Sequence, residues 1–108
     1  MRIEVLYFDG CPSHEALLPR LRALLDHVDV DEEIHLRRVD SLEAAERERF
    51  LGSPTLRIDG RDVEPGADRR DDFGLKCRLY RTETGASGVP PEEWILSALA
   101  ADQAPGRR

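Results

Sequence analysis

The hydrophobic positions of this 108-residue chain change period several times. From Ile3 to Phe8 only Glu4 interrupts an apolar run rich in β-branched and aromatic residues, and Asp9-Gly10 ends it. The run predicts a strand largely buried on both faces. Leu17, Leu18, Leu21, Leu24, Leu25 and Val28 then fall at helical spacing. They predict an amphipathic helix over 12–28. Pro12 suits its first position, where the missing N–H costs nothing, and Pro19 inside it predicts a kink. After the acidic connector Asp29 to Glu32, the residues Ile34, Leu36 and Val39 suggest a second strand ending near Asp40. Ser41 is a good N-cap, and Leu42, Ala45, Arg49 and Phe50 mark a second helix that Gly52 can terminate. Strand–helix alternation of this kind implies parallel strands joined by right-handed crossovers.

Beyond Gly52 the pattern changes. Thr55 to Ile58 reads as a short strand, Asp59-Gly60 as a hairpin turn, and Arg61 to Glu64 as the antiparallel return. Residues 65–74, with Asp68, Arg69, Arg70, Asp71 and Asp72 mixed in sign, read as a solvated loop. Leu75, Cys77 and Leu79 alternate with Lys76, Arg78 and Tyr80, which suggests an extended segment. Thr82 to Pro91 is turn-rich. Glu92 to Ala101 predicts a final helix with Trp94, Ile95, Ala98 and Leu99 on one side. A single domain over 1–102 with a flexible tail at 103–108 is expected.

Composition narrows the function classes. Charged residues make up 35% and the net charge is −6 at pH 7, which argues against a general nucleic-acid binder. No apolar run approaches the roughly 20 residues of a membrane span, and the first residues do not resemble a signal peptide, so a cytoplasmic location is expected. There, cysteines are more often catalytic, metal-binding or buried than structurally paired. The chain has two, Cys11 and Cys77. It carries no phosphate loop, dinucleotide fingerprint or serine-hydrolase motif, and neither a cofactor nor a metal is expected.

Cys11 is the leading candidate for chemistry. At the N-cap of the first helix its sulfur would face the free N–H groups of Ser13 and His14, and the helix dipole favours negative charge there. Both effects stabilise the thiolate, the nucleophile of disulfide exchange. His14, three residues on, would stabilise the thiolate when protonated or accept a proton from an incoming thiol when neutral; otherwise it is a solvent-facing side chain. Cys77 is the one internal thiol able to resolve an adduct on Cys11, provided their Cα atoms lie within about 7 Å. Otherwise it is core, alongside Leu75 and Leu79, and an external thiol resolves. Cys11, His14 and Cys77 together could also bind a soft metal, although a structural zinc site normally needs four ligands. His27 and His35 read as surface or structural residues.

Taken in order, Cys11-Pro12-Ser13-His14 after a strand, Pro19 within the helix, and Ser53-Pro54-Thr55 before a third strand resemble the thioredoxin-like superfamily. The likeness covers residues 2–64 and the last helix. It is nearest to small bacterial members with CPSH, GSPT (Gly52 to Thr55) and CRLY (Cys77 to Tyr80) segments, some labelled alkylmercury-lyase-like. The resemblance implies an α/β fold of three layers, α/β/α, with a mixed sheet of about four strands and flanking helices. It implies a cis bond at Pro54, a Ser53 backbone free to pair with a substrate strand, and substrate contacts from Pro12, Ser13, Ser53, Pro54 and Thr55. The implied activity is thiol–disulfide exchange on a protein or low-molecular-weight thiol or disulfide, with Cys11, His14 and Cys77 as the reactive group. A non-catalytic binding module on the same scaffold is the alternative, because the second cysteine of a Cys-x-x-Cys motif is missing.

Overall fold

The computed structural model describes residues 1–103. The tail expected at 103–108 lies, apart from Gln103, outside the described residues. Four strands form one mixed sheet in the order β2-β1-β3-β4: β1 (Ile3–Tyr7), β2 (Ile34–Arg38), β3 (Thr55–Ile58) and β4 (Arg61–Asp62). β1 pairs parallel with β2 and antiparallel with β3, and β3 pairs antiparallel with β4. The helices are α1 (Ser13–His27), α2 (Leu42–Arg47) and α3 (Glu92–Gln103). A separate hairpin, β5 (Tyr80–Thr82) with β6 (Gly85–Ser87), precedes α3. No helix among the described residues is long and apolar enough to cross a membrane.

β1 is central because both its faces are covered, as the near-continuous apolar run predicts. Ile3 and Val5 pack with Leu17, Leu21, Leu24 and Leu25 of α1, Ile95 and Leu99 of α3, and Leu56 and Ile58 of β3. Leu6, on the opposite face by strand alternation, packs with Val39, Ala44, Ala45 and Phe50 around α2. Glu4 shares that second face at 6% exposure and is met by Arg37 at 3.1 Å.

Several boundaries differ from the pattern reading. α1 begins at Ser13 with Pro12 as its cap residue, so Cys11 lies one residue before the N-cap instead of on it. α1 continues through Pro19. α2 stops before Gly52: Arg49 takes a left-handed conformation (φ 55°), and Phe50 N–H donates to Ala45 O at 2.8 Å. Asp29 (φ 57°) ends α1 in the same way, with Val30 N–H on Leu25 O. Both are αL terminations on residues other than glycine. At the β3–β4 turn Asp59 and Gly60 both have positive φ, the requirement of the hairpin turn read from Asp-Gly. The β5–β6 hairpin falls in the segment read as turns.

Candidate functional site

The end of β1 delivers Cys11 to the start of α1. Phe8 O accepts from Cys11 N–H at 3.3 Å, and the Cys11 side chain is fully buried. Its sulfur lies 3.5 Å from Ser13 Oγ and 3.7 Å from Ser53 O. Across it stands Cys77. The two cysteines, 66 positions apart, form a disulfide with their Cα atoms at 5.5 Å. That separation satisfies the geometric condition for an internal pair.

The segment that carries Cys77 is held by the residues before β3. Ser53 N–H donates to Lys76 O at 2.8 Å, and Arg78 N–H donates to Ser53 O at 3.0 Å, around a parallel bridge between Ser53 and Cys77. Gly52 (φ 124°) makes this approach feasible, since a Cβ there would meet Arg78 Cβ and Lys76 O at 3.0 Å. The Ser53–Pro54 bond is cis, as the resemblance implies. The free Ser53 backbone is a different matter. Both its groups are already used by the chain's own 76–78 segment, which fills the place expected for a substrate strand. Ser53, Pro54 and Thr55 are accordingly fully buried. The Thr55 hydroxyl donates to Gly52 O at 2.7 Å and accepts from Arg78 Nη1 at 3.0 Å. The three residues expected to contact substrate form the seat of Cys77. Of that set, Pro12 is exposed and Ser13 half-buried.

The faces of the 75–80 segment are opposite to the reading that placed Leu75, Cys77 and Leu79 in the core. Leu75 and Leu79 are 37% and 53% exposed, and Cys77 is exposed as well. Arg78 and Tyr80 are the buried residues, at 3% and 1%. Burying a guanidinium requires paired, hydrogen-bonded partners, and Arg78 has them. It meets Asp62 with both terminal nitrogens at 2.8 and 3.0 Å and Glu64 at 3.0 Å. Its plane lies over the Tyr80 ring, 4.4 Å from the centroid. The Tyr80 hydroxyl donates to Pro54 O. Burial pushes the Tyr80 phenol far above its ordinary range, Arg78 opposing, so it stays a neutral donor. Arg78 is the residue of this seat that the pattern missed, since its partners are 16 and 14 positions away. Two buried polar atoms in this seat, Ser53 Oγ and Arg78 Nε, have no partner among the described residues.

His14 is placed by Tyr7 and the Cys11 backbone. Its ring stacks on Tyr7, centroids 4.2 Å apart, and its Nδ1 lies 3.4 Å from the Cys11 carbonyl oxygen. Its contact with Cys11 is through the backbone. No group of three or more His, Cys, Asp or Glu among the described residues comes together to hold a metal, and the two thiols a soft metal would need are joined to each other.

No protein-family model, no curated protein and no solved structure matches this chain.

Proposed function

We propose that this protein is a thiol–disulfide oxidoreductase of the cytoplasm. Its Cys11–Cys77 pair cycles between disulfide and dithiol on a scaffold of thioredoxin-like, three-layer type. The observation that carries the reading is the pairing itself: two cysteines 66 positions apart meet at the start of a helix, one buried and one exposed. A purely structural cross-link has no need of an exposed half, and exposed disulfides are the labile, regulatory or catalytic ones. The helix start and the Ser13 hydroxyl favour Cys11 as a thiolate when the pair is reduced. The substrate class is a thiol or disulfide, either of low molecular weight or on a protein. His14, through the Cys11 carbonyl and its stack on Tyr7, positions the turn.

The test is glutathione-dependent reduction of a small-molecule disulfide by the wild type, Cys11→Ser and Cys77→Ser. Turnover by the wild type that Cys77→Ser abolishes and Cys11→Ser lowers is expected. Turnover unchanged in both variants overturns the proposal. A scaffold retained only for binding gives no turnover in any of the three, which also overturns it.

A further inference from the structure

The two sulfurs of the pair are not equivalent to an incoming thiol. Exchange proceeds by attack of a thiolate on one sulfur of the disulfide with departure of the other, so access and leaving-group stability decide which sulfur is struck. Cys11 is fully buried beneath the 76–78 segment, with Ser13 and Ser53 around its sulfur. Cys77 is exposed between two exposed leucines, Leu75 and Leu79. The leaving-group side points the same way. If Cys77 is attacked, Cys11 departs as a thiolate next to the Ser13 hydroxyl and the first turn of α1, where negative charge is stabilised. If Cys11 were attacked, the nucleophile would have to displace the segment that Ser53 and Arg78 hold down.

Resting on the oxidoreductase reading above, we infer that Cys77 is the sulfur that exchanges with substrate and that Cys11 is the internal leaving and resolving thiol. This reverses the order in which Cys11 attacks substrate and Cys77 resolves. In the reductive direction a thiolate RS⁻ bonds to the Cys77 sulfur, the Cys11–Cys77 bond breaks, and its electron pair leaves on Cys11. A second RS⁻ then attacks the RS sulfur of the adduct, giving RSSR and the Cys77 thiolate. In the oxidative direction Cys77 attacks RSSR and expels RS⁻. The Cys11 thiolate then closes the disulfide and expels the second RS⁻. Substrate therefore never bonds to the buried sulfur.

The experiment incubates oxidised wild-type protein with one equivalent of glutathione and quenches early with excess N-ethylmaleimide, which caps the freed thiol. Peptide mapping then locates both labels. Glutathione on Cys77 with maleimide on Cys11, in at least about tenfold excess over the reverse pattern, is expected from the difference in access. Glutathione on Cys11, or comparable labelling of both, overturns the assignment and leaves the oxidoreductase reading standing. An intact disulfide after prolonged incubation with excess glutathione overturns both. As a second measurement, Cys11→Ala is expected to accumulate a persistent Cys77–glutathione adduct with oxidised glutathione. An adduct that Cys11→Ala forms no more readily than Cys77→Ala counts against the assignment.

Discussion

Reducing the disulfide, with no change of sequence, should cost the fold a calculable amount. The bond joins positions separated by 66 residues. Chain-entropy arguments assign a loop of that length about 15 cal/mol/K of lost freedom in the unfolded ensemble, or about 4 kcal/mol at 25 °C. Domains of this size are stable by about 5–15 kcal/mol, so the reduced protein is expected to stay folded with a thinner margin. With a urea slope of about 2 kcal/mol/M, the midpoint should fall by about 2 M between oxidised and reduced samples. By the same thermodynamic cycle, closure of the pair is favoured about a thousandfold more in the folded chain than in the unfolded one. Urea titrations followed by far-UV circular dichroism, with and without reductant, read the difference directly. A shift below about 1 kcal/mol would refute the reasoning, because it would mean the folded chain does not hold the two cysteines together as described.

Three further outcomes follow from the seat of Cys77. Arg78→Met leaves Asp62 without its guanidinium and Glu64 with Arg70 alone. Because those carboxylates keep 13% and 16% exposure, the loss should fall near the low end for a broken buried pair, about 3 kcal/mol by urea denaturation. The same variant should close the disulfide less readily against glutathione. Gly52→Ala combines a φ of 124° with 3.0 Å contacts to Arg78 and Lys76, and should lose about 2 kcal/mol in the same assay. Asp72 is held well below the usual carboxylate range chiefly by hydrogen bonds from Arg70, with Lys76 adding to them and desolvation opposing. A depressed folded-state pKa contributes stability that is present above the unfolded value, about 3.9, and is lost as pH falls towards the folded one. Because the Asp72 side chain is 48% exposed, Asp72→Asn should cost less than about 1 kcal/mol at pH 7. That difference should shrink in thermal melts taken below about pH 4.

How far the sequence reached is clearest in particular elements. β1 and α1 were legible because their apolar positions repeat with the period of the structure they form. The Asp59-Gly60 turn was legible because it needs two residues tolerant of positive φ. The alternation over 75–80 located an extended segment but not its buried face. Hydrophobicity favours Leu75 and Leu79, whereas the outcome is decided by Asp62 and Glu64, which supply Arg78 with partners inside the fold. The β5–β6 hairpin was not legible, because Gly85-Ala86-Ser87 is exposed throughout and carries no apolar period. At the site, Cys11 and Pro54 could be singled out from local motifs. The pairing of Cys11 with Cys77 could not, because it depends on the register of 76–78 against Ser53. That register also buries Ser53, Pro54 and Thr55.

The most direct test of the central claim is equilibration of the wild-type protein in glutathione redox buffers of graded potential, with the fraction of Cys11–Cys77 disulfide read by alkylation and mass shift. A reversible two-electron titration with a midpoint between about −120 and −280 mV, the range of exchanging pairs, is predicted. A disulfide that stays oxidised below about −300 mV, as structural cross-links do, would contradict the account.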